Sequence, residues 1–186
     1  GYPRRLEVRV DYSVLPRPRP CASFGKRPLQ LVKNKNVRLV IAGYVKNNPV
    51  WHRMAKIYTN DSSYNTDVFE SLPVHEYYRA YCHCDISLIP LIDNEFNRHK
   101  SNLKILEAAN IATPVVVSRV HPYLDFPDNL VNYVDSYNPF YRQINRLLKD
   151  EQLRIQQGLA LQQYVTEHYN FYKISLERKH IFDAAT

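Results

Sequence analysis

Short runs of apolar, often β-branched residues alternate with amphipathic stretches along most of the chain. Each run is bounded by polar or turn-forming residues, which is typical of strands buried in a sheet. Strands are predicted at 37–42, 68–69, 85–89, 114–118 and 131–134. Apolar residues at helical spacing predict helices at 27–35, 49–58, 74–82 and 101–111, and over 139–185 with breaks near Gly158 and Asn170.

The order of these elements predicts an α/β fold. Strands that alternate with helices indicate βαβ units, in which the strands are parallel and both faces of the sheet are covered. Right-handed crossovers then produce a doubly wound, Rossmann-like sheet, here followed by a helical C-terminal tail. Such sheets bind ligands beyond the carboxyl ends of their strands, so the candidate regions are the loops after Gly43, Phe69, Ile89 and Ser118.

The first 26 residues follow a different pattern. One strand is predicted at 6–14, and the alternating prolines of 15–20 exclude a helix there. We therefore expect 1–26 to be a linker, or the remnant of an interdomain region, with one strand. Residues 27–186 are expected to form the folded domain.

Composition and charge narrow the class of partner. Hydrophobic residues make up 45% and charged residues 23% of the 186 positions, as in soluble globular proteins. The longest apolar run is too short to cross a bilayer. A net charge of +7 predicts an anionic partner, but the basic residues are scattered and form no nucleic-acid-binding module. A phosphate-bearing small molecule and an anionic membrane surface fit this charge better than nucleic acid does.

The cysteines predict a reducing compartment and no metal. There are three, Cys21, Cys82 and Cys84, and this odd number provides no disulfide framework, so the expected location is the cytoplasm. Cys82 and Cys84 flank His83, but cysteines separated by one residue chelate poorly and no second ligand pair follows them. We expect buried thiols instead.

The segment 85–118 carries the most specific signal. A buried strand leads through a polar loop to a helix for which Ser101 is the predicted N-cap. The free amides and positive dipole end of a helix start bind anions, and Lys100 and Lys104 would add charge beside them. Glu107 follows two turns later near the same face, where a carboxylate can accept two hydrogen bonds from a vicinal diol. Together these residues suit a nucleoside diphosphate.

Ordinary structural roles also explain these residues. Ser101 can be a cap and nothing more. Lys104 and Glu107 have the spacing of a surface ion pair, which would stabilise the helix by only a few tenths of a kcal/mol.

The region from Val37 to Tyr169 resembles the C-terminal, nucleotide-sugar-binding domain of GT-B glycosyltransferases. The resemblance is to the retaining family 4 (group 1) enzymes that build bacterial capsule and lipopolysaccharide sugars. The matching pieces are VRLVIAGY at 37–44, VFESLPV at 68–74, EYYRAYCHCDISLIPL at 76–91, KSNLKILEAANIATPVVVS at 100–118, INRLLKDEQLR at 144–154 and YVTEHYN at 164–170. The fourth piece is the most specific.

The resemblance implies roles for named residues. Glu107 corresponds to the glutamate that binds the ribose hydroxyls. The diphosphate would lie at Ser101, Asn102 and Leu103, with Lys100 and Lys104 beside it. The base or the cleft lining would involve Gly43, Tyr44, Leu72, Pro73 and Val74.

The sugar contacts depart from the family pattern. The family often has a second glutamate eight positions before the ribose-binding one, in a Glu-Phe-Gly sequence. His99 occupies that position here, and Glu95-Phe96-Asn97 lies further upstream. Either the loop is longer and Glu95 or Asn97 reaches the sugar, or the sugar is bound differently, so Glu95, Asn97 and His99 are all candidate sugar contacts.

By this resemblance the chain is a hexosyltransferase-type glycosyltransferase fragment that binds a nucleotide-sugar donor. It would need a missing N-terminal GT-B domain to transfer the sugar, and it would use no metal or other cofactor. Its expected location is the cytoplasm, with peripheral contact at the inner face of the cell membrane, and its expected process is surface polysaccharide synthesis. No catalytic residue is assigned.

Three other functions are considered. The chain could be a non-catalytic α/β module that binds a nucleotide or a partner. Nucleic-acid binding ranks lower because of the scattered charge. A hydrolase built on Ser118 and His121 lacks an acidic residue at suitable spacing.

Overall fold

A computed structural model describes residues 6–11, 37–49, 51–52, 55–56, 66–73, 76, 82, 84–135 and 137–185. Within them, six strands form a single parallel sheet in the order 3-2-1-4-5-6. The strands are β1 (Leu6–Asp11), β2 (Val37–Tyr44), β3 (Thr66–Glu70), β4 (Ile86–Ile89), β5 (Val115–Ser118) and β6 (Asn132–Val134). The predicted doubly wound, Rossmann-like sheet is confirmed.

Five helices are bounded within the described part of the chain. They are α1 (Glu95–Arg98), α2 (Leu103–Asn110), α3 (Tyr137–Lys149), α4 (Glu151–His168) and α5 (Phe171–Ala185), and a 3₁₀ turn covers His121–Tyr123. Helical backbone also occurs at 49, 51–52 and 55–56, within the helix predicted at 49–58. The helices predicted at 27–35 and 74–82 lie largely outside the described residues.

Both faces of the sheet carry a buried apolar core. Along β5 the side chains alternate, so Val116 packs with α3 residues while Val115 and Val117 pack with α2 and α4. The β4–α2–β5 unit is therefore held rigidly, and α2 presents Ile105 and Ala108 to the sheet with no exposed surface. None of the described helices is long and apolar enough to cross a membrane.

The strand predicted near the amino end is a central strand of the sheet. Val8 lies in register with Leu39 of β2 on one side and with Ile86 of β4 on the other. The description of this segment as part of a linker is therefore corrected for Leu6–Asp11. Apolar patterning identifies a strand but does not reveal its neighbours in the sheet, and the proline-rich sequence after it suggested a connector.

The C-terminal tail was predicted to be helical with two breaks, and the structure confirms one of them. The break near Asn170 is confirmed, because α4 ends at His168 and α5 begins at Phe171. The break near Gly158 is wrong, since α4 runs through it. A Cβ at this position would lie 1.8 Å from the carbonyl oxygen of Ala112, so the glycine allows α4 to pack directly on the end of α2. The unpredicted break lies at Asp150, which caps α4.

Candidate functional site

The order of the strands defines where a ligand would bind. The chain moves from β1 to β2 and β3 on one side of the sheet, and from β4 to β5 and β6 on the other. The order reverses between the neighbouring strands β1 and β4, and doubly wound sheets bind ligands beyond the carboxyl ends at such a point. The loop 90–102 and the start of α2 follow the carboxyl end of β4 directly.

The loop between β4 and α2 is braced by its own polar groups. The Leu91 amide donates to the Ser118 hydroxyl at 2.8 Å, which ties this loop to the end of β5. The Asn94 carboxamide oxygen accepts from the Asn97 amide at 2.8 Å and caps α1. The Asn97 carboxamide in turn donates to the carbonyl of Ile92 at 2.8 Å. These bonds hold the loop in one shape ahead of the helix start.

The start of α2 lies one residue later than the sequence predicts. Asn102 is the N-cap and Ser101 is exposed, so the capping role predicted for Ser101 is wrong. Asn102 itself forms no side-chain cap, and its φ of −82° and ψ of 12° are outside the extended region that a capping residue normally adopts. Within the described part of the chain, the N–H groups of Ser101, Asn102 and Leu103 donate no hydrogen bond.

Lys104 and Glu107 form an ion pair in a recess. The Lys104 ammonium lies 3.0 Å from the Glu107 carboxylate, and their side chains are only 13% and 22% exposed. Neither belongs to the apolar face of α2 formed by Ile105, Ala108 and Ala109. The ion pair expected from the spacing therefore forms. It is less accessible to solvent than a pair on an open surface.

Lys100 lies at the end of the loop. Its ammonium is 5.1 Å from the centroid of the exposed Phe96 ring, within the range of a cation–π interaction. Burial lowers the pKa of Lys100, because the charged form loses hydration. A phosphate nearby would favour the charged form.

The three candidate sugar contacts lie on or beside α1, in different environments. Glu95 and His99 are exposed, whereas Asn97 is fully buried. The Asn97 carboxamide oxygen has no hydrogen-bond partner in the part of the chain that the structure describes. A buried acceptor without a partner costs folding free energy, typically ~1–3 kcal/mol.

The predicted base or cleft residues follow β2 and β3, which are neighbours in the sheet. Gly43 has a φ of 96°, and the strand register shifts around it between Ala42 and Tyr44. A side chain there would be strained and would contact the Trp51 ring. Leu72 and Pro73 follow β3 and are exposed. Val74 and the Tyr44 side chain are outside the described residues.

The sequence gives no local signal for a contact between the helix start and the distant C-terminal helices. The Asn102 carboxamide donates to the Tyr169 hydroxyl at 3.0 Å and approaches the Asp125 carboxylate at 3.5 Å. The Tyr169 ring stacks on Phe126, and Tyr164 packs against the same ring. Tyr164 and Tyr169 thus both pack against the apolar core.

The hydrolase alternative and the buried-thiol prediction are not supported. The Ser118 hydroxyl accepts from Leu91, and a His121 ring nitrogen faces the carbonyl of Arg98 at 3.1 Å, so the two are used in separate structural contacts. Cys82 is exposed and Cys84 is half-buried. Among the residues that the structure describes, no group of three His, Cys, Asp or Glu side chains could hold a metal ion.

Comparisons with known proteins identify the family. The family model described as "Glycosyl transferase-like" matches residues 25–174. A search of curated proteins finds no significant match.

Solved structures with a similar fold belong to proteins about twice as long. HepE of Anabaena in complex with UDP-glucose has a TM-score of 0.74 and 13% identity, over 95% of this chain and 48% of HepE. The α,α-trehalose 6-phosphate synthase of Burkholderia multivorans has a TM-score of 0.64 and 11% identity, over 98% of this chain and 44% of the synthase. S. aureus MnaA in its co-structure with UDP has a TM-score of 0.60 and 16% identity, over 91% of this chain and 45% of MnaA. The chain thus spans about half the length of these proteins, and at these identities the likeness is one of fold. The chain belongs to the glycosyl transferase-like family, and it has the fold of a single GT-B domain.

Proposed function

We propose that this domain binds the nucleotide-sugar donor of a GT-B glycosyltransferase at the start of α2. One observation carries the proposal: the N–H groups of Ser101, Asn102 and Leu103 donate no hydrogen bond within the described residues, at the point where the strand order reverses. Helix starts at this position in doubly wound sheets bind phosphate groups. HepE with UDP-glucose and MnaA with UDP share this fold, which favours a uridine nucleotide as the first ligand to test.

The diphosphate would be held by backbone amides and two lysines. The three N–H groups would donate to phosphate oxygens, and Lys100 and Lys104 would add charge on either side. When a sugar leaves its nucleotide, negative charge builds up on the diphosphate. Preorganised amides and ammonium groups stabilise that charge without reorganising, so the proposal requires no metal.

Glu107 would bind the ribose while it keeps its contact with Lys104. The ion pair leaves acceptor capacity on the carboxylate, because a carboxylate has about four lone-pair sites. Its recessed position would strengthen a hydrogen bond from a ribose hydroxyl, since water competes less there. Lys104 would then have two roles at once, because it would contact the phosphate and also orient Glu107.

The remaining candidate residues would contact the sugar and the base. Glu95 and His99 are exposed beside the helix start, and Asn97 has an unpartnered acceptor nearby. A sugar hydroxyl is a donor that could satisfy such an acceptor. On the other side of β1, the ends of β2 and β3, with Gly43, Tyr44, Leu72, Pro73 and Val74, would line the base pocket.

The reaction proposed for the whole enzyme is transfer of a hexosyl group to an acceptor hydroxyl. A second domain would bring the acceptor to the sugar donor, consistent with similar proteins about twice as long. The proposed role in surface polysaccharide synthesis rests on the family resemblance. Peripheral binding to anionic membrane rests on the resemblance and the net charge of +7. The chain alone is expected to bind nucleotide and to transfer no sugar.

Calorimetric titration with UDP tests the proposal. Glu107→Ala should weaken binding by ~1–3 kcal/mol, because the ribose diol loses its acceptor. Glu167→Ala is the matched control, since Glu167 is an exposed helical carboxylate on α4 that accepts a hydrogen bond from Gln163. Equal affinities for the wild type, Glu107→Ala and Glu167→Ala, measured on chains with unchanged thermal unfolding, would contradict the ribose assignment.

A further inference from the structure

Phe96 is an exposed aromatic residue in a turn that is otherwise well packed. It is 63% exposed, whereas Asn97, the next residue of α1, is fully buried. Exposed apolar side chains are common on protein surfaces, so exposure alone indicates no function. The position of this one is informative, because the loop 90–102 that carries it follows the carboxyl end of β4, where doubly wound sheets bind their ligands.

The turn that carries Phe96 is anchored on both sides of the ring. Before it, the Asn94 carboxamide oxygen accepts from the Asn97 amide at 2.8 Å. After it, the Arg98 guanidinium donates to the Asp93 carboxylate at 2.7 and 3.0 Å. These bonds fix the backbone from which the ring projects before any ligand binds.

The Phe96 ring lies beside the proposed diphosphate site. The Lys100 ammonium is 5.1 Å from the centroid of the ring. Lys100 directly precedes Ser101, whose N–H group is one of the three proposed to bind the diphosphate. In a nucleotide-sugar, a single oxygen joins the sugar to the second phosphate. The ring is therefore within reach of a sugar whose diphosphate is held by Lys100 and the start of α2.

We propose that Phe96 is the residue against which the pyranose ring of the donor sugar packs. A pyranose exposes C–H groups on its faces, and these carry small positive charges and are poorly hydrated. The face of an aromatic ring carries negative charge, so the two surfaces attract each other and exclude water. This inference rests on the proposed function, because it needs the diphosphate at the start of α2. It adds an apolar contact to the polar candidates Glu95, Asn97 and His99.

Lys100 would couple the binding of the diphosphate to that of the sugar. Without a ligand, its ammonium interacts with the Phe96 ring. A charge-assisted hydrogen bond to a phosphate is stronger than this attraction, because the phosphate carries a full charge. Lys100 is therefore expected to move from the ring to the diphosphate. The ring is then uncovered for the sugar when the nucleotide is already bound.

The first experiment compares the affinity for UDP with that for UDP-sugars, by calorimetric titration of the full chain. UDP-glucose, UDP-galactose and UDP-N-acetylglucosamine are used, since all three carry a pyranose ring. Phe96→Ala should lower the affinity for at least one of them roughly three- to tenfold, because an aromatic packing contact is lost. The affinity for UDP itself should change by about twofold or less, since only the contact with Lys100 is removed. Phe96→Tyr keeps the ring and should bind all four ligands as the wild type does.

A matched control and the contrary outcomes separate this inference from the proposed function. Phe171→Ala removes an exposed phenylalanine from α5 and should change no affinity. Equal losses for UDP and the UDP-sugars in Phe96→Ala would overturn the inference, because the ring would then only support the nucleotide site. UDP binding with unchanged affinities for all three sugars would overturn the inference alone. No UDP binding by the wild type would overturn the proposed function together with it.

Proton NMR of the bound sugar gives a readout that a merely structural role would not change. Protons that lie over the face of an aromatic ring are shifted upfield by its ring current. The C–H protons of the bound sugar should show this shift with the wild type. They should lose it with Phe96→Leu, which keeps an apolar side chain but has no aromatic ring. Sugar protons with the same shifts in both complexes would overturn the inference.

Discussion

The start of α2 differs from the other helix starts for which the structure describes the capping residue. Asn94, Asp150 and Asn170 precede α1, α4 and α5, and each accepts from a first-turn N–H, at 2.8, 2.9 and 3.1 Å. Such a cap stabilises a helix by ~1 kcal/mol. Asn102 precedes α2 and makes no cap. The start of α2 thus lacks a stabilising contact that the other three helix starts have.

Charge distinguishes α2 from two of these three helices, since α5 also has no acid in its first turn. Glu95 lies in the first turn of α1 and Glu151 in that of α4, where an acid favours the positive end of the helix dipole. The first turn of α2 has no acid and carries Lys104. The missing cap and the missing acid leave the positive end of the α2 dipole without a compensating group from its own chain. This helix start is therefore more favourable to an external anion. An acid added at the start of α2 is therefore expected to raise stability and lower UDP affinity, whereas a change at a capped helix start is expected to alter stability alone.

The largest expected effect comes from disturbing the support of α2. Gly158→Ala would place a Cβ 1.8 Å from the Ala112 carbonyl oxygen, which neither backbone can avoid without moving. The free energy of unfolding should fall by about 3 kcal/mol in urea denaturation, although alanine favours an isolated helix. Leu159→Ala, at an exposed neighbouring position, is the control and should change it by about 0.5 kcal/mol or less. A stabilised Gly158→Ala would show that α4 does not fix the end of α2.

Adding an acid to the start of α2 should make it resemble the other helix starts. Ser101→Asp is expected to raise the free energy of unfolding by ~0.3–1 kcal/mol, through the helix dipole. The same carboxylate should lower UDP affinity about tenfold by repelling the diphosphate. Ser101→Asn, which adds no charge, is the control. A Ser101→Asp variant that binds UDP as well as the wild type would place the nucleotide elsewhere.

Removing the cap of α4 should lower stability and leave UDP binding unchanged. Asp150→Ala loses the bond from the Leu153 amide and should cost ~1 kcal/mol of unfolding free energy. UDP affinity should be unchanged, because this helix start has no proposed contact with the nucleotide. If calorimetry showed a clear loss of affinity, the division between structural and ligand-binding helix starts would not hold.

The smallest expected effect is a dependence of UDP binding on alkaline pH. Burial lowers the pKa of Lys100 below 10.5, and a bound phosphate should raise it again, so binding takes up protons in that range. Affinity should fall by about twofold or less as pH rises through this pKa, because solvent screens a half-buried charge. The unfolded chain binds more protons in the same range, so this group should make folding more favourable as pH rises. Titrations in buffers of different ionisation enthalpy measure the uptake, which Lys100→Gln should reduce.

The sheet was largely predictable from local patterns, and its assembly was not. The apolar runs at 37–42 and 114–118 identify β2 and β5 within a residue or two, since buried parallel strands are continuously apolar. Nothing local to Leu6–Asp11 shows that it lies between β2 and β4. Gly158 misled because a glycine can mark either a helix end or a close helix contact, and only the packing of α4 on Ala112 distinguishes them.

The candidate site was predictable to the level of its helix. The pattern around Ser101 located the helix start to within one residue, and the spacing of Lys104 and Glu107 anticipated their ion pair. The hydrogen bond of the Asn102 side chain was not predictable, because its partner Tyr169 lies 67 positions further along the chain. Contacts of that separation arise from tertiary packing, which a local pattern does not encode.

The most direct measurement is a UDP titration of the isotope-labelled chain followed by amide chemical shifts. If the start of α2 is the diphosphate site, the amides of Ser101, Asn102 and Leu103 should shift most and saturate together, while those at the capped start of α4 stay unchanged. Saturable UDP binding that leaves these three amides unaffected, or no binding at all at millimolar UDP, would contradict the account.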